Sequence, residues 1–171
     1  MEAGGGAYVG TFSKTIFPEL RVGYVAPPAS LHEAVQKAKQ ISDWHSCSMT
    51  QAALAKFMLD GDFAKHLRRM HQHYKDRRRM LVSSLQNELA EWFEPRIPAA
   101  GIHMTARLKG ALKEKHLTGG VLDPSIGLYG ISGFYMNRPT HEGLIFGYGG
   151  IGVDEIGVAM KKIRMRLLRM T

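Results

Sequence analysis

The chain has 171 residues, the length of one ordinary domain and too short for two large ones. Hydrophobic residues make up 44% and charged residues 22%, which excludes a wholly disordered chain; the 19 Gly and 7 Pro follow no period, which excludes collagen-like and low-complexity readings. With 23 Lys+Arg against 15 Asp+Glu the formal charge is +8, a balance that favours anionic partners such as phosphate groups, nucleic acid or an acidic protein surface.

Met1-Glu2-Ala3-Gly4-Gly5-Gly6 has neither the basic nor the apolar region of a secretory signal. Ala7 to Phe12 is short, β-branched and aromatic, and is predicted to be a strand. After the polar turn Ser13-Lys14-Thr15 and the irregular stretch around Pro18, Arg21 to Ala26 is a second short strand stopped by Pro27-Pro28. A helix is expected after Ser30, with Leu31, Ala34, Val35, Ala38 and Ile41 on one face, and a shorter one from Met49 or Thr50 to Leu59. Between them lies Cys47; a single cysteine cannot form an internal disulfide, which fits a reducing cytosol and a cytoplasmic location.

Asp62 is an N-cap candidate for one long amphipathic helix, whose apolar positions are Phe63, Leu67, Met70, Tyr74, Leu81, Leu85 and Leu89. Its Arg and Lys residues mostly occupy the other face. Beyond Pro95 and Pro98 the period becomes two: Ile102, Met104, Ala106 and Leu108 alternate with His103, Thr105 and Arg107, a half-buried strand. Leu144 to Tyr148 is another strand, and a final helix aligns Ile156, Met160, Ile163, Leu167 and Met170. Every apolar run is broken well before the roughly 18 residues that a membrane span needs. The element order is α/β or α+β, with few strands for its helices.

Residues 11–24, Thr-Phe-Ser-Lys-Thr-Ile-Phe-Pro-Glu-Leu-Arg-Val-Gly-Tyr, carry the chemistry. Three hydroxyls surround Lys14, and Arg21 follows seven residues later. A lysine amine in its neutral form condenses with a carbonyl to a Schiff base. An arginine fork matches a phosphate, and hydroxyls and backbone N–H groups in a tight turn complete a phosphate cup. Together they would suit a phosphorylated aldehyde.

The same string resembles the cofactor-lysine motif of the fold-type I pyridoxal-phosphate enzymes, the class I/II aminotransferases. More narrowly, it is similar to the aminotransferase-like domain of MocR-type regulators in the GntR superfamily. The likeness continues through Gln51-Ala52-Ala53-Leu54-Ala55, Phe63 to Met70, Tyr74, Arg77-Arg78, Gly101-Ile102-His103 and Gly143 to Tyr148. It implies an α/β chain that is part of a fold-type I transferase: residues 1–45 end the large cofactor-binding domain, 46–90 form a helical connection, and 91–171 are the C-terminal small domain. It also implies pyridoxal 5'-phosphate as cofactor, Lys14 as the internal aldimine, and Arg21 on the phosphate with Thr11 and Ser13. Partners implied are a second copy in a homodimer of the full-length protein, and DNA through an N-terminal winged-helix domain that this sequence lacks.

In the family, the carboxylate on the pyridine nitrogen and the ring stacked on the cofactor come from strands before the lysine. Here thirteen residues precede Lys14 and none is Asp, so the resemblance implies the C-terminal portion of a larger architecture, truncated at its N-terminus. The isolated chain is therefore expected to bind the cofactor weakly and not to transaminate. Two positions depart from the family. Glu19 puts an acid where many relatives have a small residue. Ile145 is apolar where true aminotransferases usually carry the arginine that grips the substrate carboxylate, and an apolar side chain cannot pair that charge. This favours ligand sensing over transamination, with Arg107 or Arg138 as substitute cations. The alternatives are a catalytic aminotransferase using the same lysine, and a small basic nucleic-acid-binding module using Arg68 to Arg79.

No metal is expected. His66 and His73 share a helical face but stand about 10 Å apart along the axis, and no carboxylate-rich segment accompanies them. His103 is read as an ordinary histidine on the polar side of its strand, and Trp44 and Trp92 as packing residues.

Overall fold

The β-branched and aromatic start of the chain forms a strand in the structure, a computed structural model that describes residues 6–118 and 126–170. β1 (Tyr8–Thr11) pairs antiparallel with β2 (Gly23–Ala26), Tyr8 opposite Ala26 and Thr11 opposite Gly23. Gly10 is required here because the Tyr24 ring lies directly over it, in the space that a Cβ would take. A 3-10 turn (Ala29–Leu31) leads into α1 (His32–Asp43), which stops at Trp44, whose φ of 59° cannot continue a right-handed helix. α2 (Ser48–Leu59) and α3 (Asp62–Ser83) follow.

Three expectations change. The stripe on α1 exists but is bare, with Ile41 86% exposed. Trp44 is likewise no packing residue at 78% exposure. Asp62 is the first residue of α3 rather than its cap: the Lys65 N–H donates to the Gly61 carbonyl at 3.2 Å, and the Asp62 carboxylate pairs instead with Lys65 Nζ at 2.9 Å.

The chain divides within α3 into two compact units, Met1–Arg69 and Met70–Thr171. In the second, α3 passes into a wider π turn (Ser84–Glu88), closed by the Leu89 N–H on the Ser84 carbonyl at 3.0 Å. A four-stranded antiparallel sheet follows, built from β3 (Phe93–Arg96), β4 (His103–Leu108), β5 (Tyr129–Gly130) and β6 (Gly143–Gly147) in the order β3-β4-β6-β5. Pro95 sits in β3, an edge strand where a missing N–H is tolerated.

The alternation read from the sequence sets which face is covered. Met104 opposite Phe146 and Ala106 opposite Leu144 turn to the core, and α4 (Val153–Leu168) buries Ile156, Met160, Ile163 and Leu167 with them. Leu81, Leu85 and Leu89 complete the cluster, with Trp92 packed at its edge. Each such side chain contributes roughly 1.5–3 kcal/mol on removal from water. Glu114, in a 3-10 turn (Glu114–His116), fastens the entry to β6 by accepting the Gly143 N–H at 3.0 Å.

Candidate functional site

Residues 12–22 form the connection between β1 and β2. It is closed at its base by the Phe12 N–H on the Val22 carbonyl at 3.0 Å. Phe12, 9% exposed, is its buried anchor: its ring meets Tyr24 at 5.5 Å and Phe63 edge-on at 5.9 Å. The Phe12 carbonyl accepts the N–H groups of Thr15 at 3.2 Å and Ile16 at 2.9 Å, and also the Thr15 hydroxyl at 3.3 Å. The result is a tight turn that carries Lys14 at its exposed apex.

Thr11, at the end of β1, accepts the Ser13 N–H on its Oγ1 at 3.2 Å. Ser13 is half-buried, and Thr11, Lys14 and Arg21 are exposed. A 3-10 turn (Pro18–Leu20) then delivers Arg21 in the left-handed region, φ 49° and ψ 37°. All four residues singled out in the sequence, Thr11, Ser13, Lys14 and Arg21, therefore lie on one hairpin connection or at its rim. Glu19, within the 3-10 turn, is exposed. Beside the connection, the Tyr8 hydroxyl bonds that of Tyr24 and raises the Tyr24 phenol above its ordinary range.

This donor set suits a phosphorylated aldehyde: one primary amine, one guanidinium, the hydroxyls of Thr11 and Ser13 (that of Thr15 being spent on the Phe12 carbonyl) and a turn, all within eleven residues. The planar guanidinium of an exposed arginine can meet two oxygens of a phosphate at once.

Other candidates are placed elsewhere. His66 directs its Nε2 to the Thr15 carbonyl at 2.8 Å, so it belongs to the connection rather than to a histidine cluster. Among the described residues, no group of three or more His, Cys, Asp or Glu side chains gathers closely enough to hold a metal ion. Arg77 and Arg78 are not part of a solvated basic face. Arg77 Nη1 donates to the Gly149 carbonyl at 2.6 Å and its guanidinium lies 5.8 Å from the Tyr74 ring centre, while Arg78 donates to the Pro98 carbonyl. Sequence reasoning missed these roles because the acceptors are main-chain carbonyls, which no residue type announces. Ile145 sits half-buried in β6 opposite Thr105, and Arg107 stands two residues along β4 from that pair; Arg138 is exposed. Among the described residues, no helix is long and apolar enough to cross a membrane.

Three comparisons bear on this geometry. The chain is 31% identical over 161 residues to the probable rhizopine catabolism regulatory protein MocR of Rhizobium meliloti, covering 94% of this chain and 33% of that protein. It is 28% identical over 170 residues to 2-aminoadipate transaminase of Thermus thermophilus, covering 94% of this chain and 42% of the enzyme. The chain thus spans about a third to two fifths of the length of these relatives. Its fold matches that of LysN, the α-aminoadipate aminotransferase of Thermus thermophilus crystallised with N-(5'-phosphopyridoxyl)-L-leucine, with a TM-score of 0.84 at 21% identity, over 96% of this chain and 43% of LysN. The architecture described above is therefore part of the fold-type I aminotransferase fold. The sequence profile described as Aminotransferase class I and II matches residues 1–133, and with that span of agreement the chain belongs to the class I and II aminotransferase family.

Proposed function

We propose that this chain is the lysine-bearing part of a pyridoxal-phosphate-binding, aminotransferase-like domain in a MocR/GntR-type transcriptional regulator. The observation that carries the reading is the single connection that presents both Lys14 and Arg21, in a chain whose similarity extends to MocR over 94% of its length. Bound pyridoxal phosphate supplies an aldehyde that takes up a primary amine and a ring that draws electrons from what is attached to it. Lys14 provides the amine. Arg21 pairs with the phosphate dianion, and the Thr11 and Ser13 hydroxyls donate to its oxygens. The turn on the Phe12 carbonyl holds the backbone on either side of Lys14, the residue that would carry the amine to the aldehyde.

On this reading residues 1–45 end a large domain, 46–90 connect, and 91–171 are the small domain. The full-length regulator is a cytoplasmic homodimer that reaches DNA through a separate winged-helix domain. Ile145 favours sensing of the cofactor itself over transamination, because that half-buried side chain offers no charge to a substrate carboxylate. The test is absorbance of the full-length protein with added pyridoxal phosphate, then borohydride reduction and peptide mapping. Label on Lys14, lost in Lys14→Ala and weakened in Arg21→Gln, is the expected result; label on another lysine refutes it.

A second reading, a catalytic aminotransferase, is favoured by the similarity to the transaminase of Thermus thermophilus. Here Lys14 would also move the substrate α-proton. A panel of amino acids separates the two, since conversion of the bound cofactor to its pyridoxamine form requires the enzyme. The nucleic-acid module is disfavoured because Arg77 and Arg78 are engaged by carbonyls of their own unit.

A further inference from the structure

The hydrogen bond from His66 to the Thr15 carbonyl joins α3 to the peptide unit immediately after Lys14. A carbonyl oxygen has no proton to give, so the imidazole must carry its hydrogen on Nε2. The other hydrogen bonds named for this connection run between residues 11 and 22, and a turn closed on itself can still swing as a body. The bond from His66 reaches across 51 residues and prevents that.

The same helical turn holds the connection at a second point. Phe63, three residues before His66 and therefore on the same face of α3, meets the Phe12 ring edge-on at 5.9 Å. Phe57 on α2 lies 6.1 Å from the Phe63 ring and 6.3 Å from the His66 ring, so the imidazole packs beside an aromatic neighbour. Lys14 thus lies between two held positions, the Phe12 side chain and the Thr15 carbonyl. His66 is half-buried, so water competes less for its N–H.

We propose that His66 is a positioning residue for Lys14: its Nε2–H fixes the peptide after the lysine, and α3 thereby sets the direction in which the amine leaves the backbone. The purpose of this grip rests on the reading of Lys14 as the cofactor lysine; the grip itself does not.

The whole chain is used for the test. NMR of the wild-type imidazole nitrogens reads the tautomer, and Nε2–H is expected; a ring carrying its hydrogen on Nδ1 alone overturns the proposal. Hydrogen exchange of Thr15 and Ile16 is then compared in wild type, His66→Leu and His66→Gln, with α2 amides as a control for folding. His66→Leu is expected to speed exchange of the turn about fivefold, the worth of one half-buried hydrogen bond, and His66→Gln, which keeps an N–H donor, to restore most of the protection. Unchanged exchange in His66→Leu, or equal loss in both variants, overturns the proposal. Should α2 in His66→Leu also lose protection, the wild-type tautomer and the glutamine variant decide. Borohydride capture of pyridoxal phosphate at Lys14 is followed in the full-length protein carrying the same substitutions, and should be slower in His66→Leu than in His66→Gln. If exchange responds as expected but none of the three proteins is labelled at Lys14, the grip stands and the cofactor reading falls.

Discussion

Glu114, 8% exposed, gathers donors from two distant segments, and its removal has a calculable cost. Its Oε1 accepts the N–H groups of Ile131 and Ser132 at 3.1 Å each and of Gly143 at 3.0 Å. Its Oε2 accepts the Ser132 hydroxyl at 2.5 Å and the Ser132 N–H at 3.4 Å. Ile131 has a second acceptor, the Gly143 carbonyl at 3.0 Å, so Glu114→Ala leaves the N–H groups of Ser132 and Gly143 without partners. At about 1–3 kcal/mol for each buried orphan, the variant should lose about 3–4 kcal/mol. Glu114→Gln keeps one acceptor oxygen and turns its amide toward a hydroxyl that can rotate to accept, so about 1–2 kcal/mol is expected. Urea unfolding followed by circular dichroism reads both, with the midpoint falling by about 1–2 M for Glu114→Ala at an unchanged slope. Gly130→Ala supplies a cross-check, because its Cβ would run into Glu114 Oε2. Its penalty should largely vanish in the Glu114→Ala background. A Glu114→Ala midpoint within about 0.3 M of wild type would refute the reasoning.

Arg21→Gly should stabilise the hairpin by up to about 1 kcal/mol, since glycine adopts the left-handed backbone without strain, while weakening capture of pyridoxal phosphate at Lys14; thermal melts and borohydride trapping read the two effects. The Cys47 thiol is held below its ordinary range, first by the hydrogen bond with the Thr50 side chain and then by the Thr50 backbone. Its alkylation by iodoacetamide should therefore reach half-maximal rate at lower pH than a free cysteine, and Thr50→Val should move that midpoint up. Burial raises the Tyr148 phenol, with Arg78 opposing, and its hydroxyl donates to the Gly101 carbonyl at 2.7 Å. A phenol raised by folding contributes stability that is complete below about pH 10 and is lost as pH climbs through the raised value. Tyr148→Phe should cost about 1 kcal/mol at neutral pH and show a shallower alkaline decline in melting temperature.

Elements whose pattern is local were legible in the sequence. The alternation from Ile102 to Leu108 became β4, and the stripe from Ile156 to Leu167 became the buried face of α4. That Lys14 and Arg21 share one connection was legible because only six residues separate them. β3 was hidden by Pro95, which reads as a breaker unless the strand is known to be an edge, and β5 is two residues long, too short to show a period. The bare face of α1 shows the limit of amphipathic patterning: Leu31 just before it and Ile41 within it announce an apolar side but not what covers it. His66, Arg77 and Arg78 were illegible for a different reason. Each donates to a main-chain carbonyl far along the chain, and every residue carries such a carbonyl.

Arg21 brings these levels together. Its left-handed backbone would suit glycine better, at a cost to arginine of about 1–2 kcal/mol, and the arginine is exposed, so packing does not account for it. Strain of this kind persists where a side chain is needed in a set direction. A guanidinium projected from the end of a 3-10 turn, on the same connection as a lysine whose neighbouring peptides are held by Phe12 and His66, meets that condition if one ligand must be held at two points. A grip on phosphate alone would not require the lysine peptide to be tethered to a helix, and an amine alone would not require the strained arginine. On the proposed reading the two features belong together, because a ligand that carries both a reactive carbonyl and a phosphate would engage the amine and the guanidinium at once.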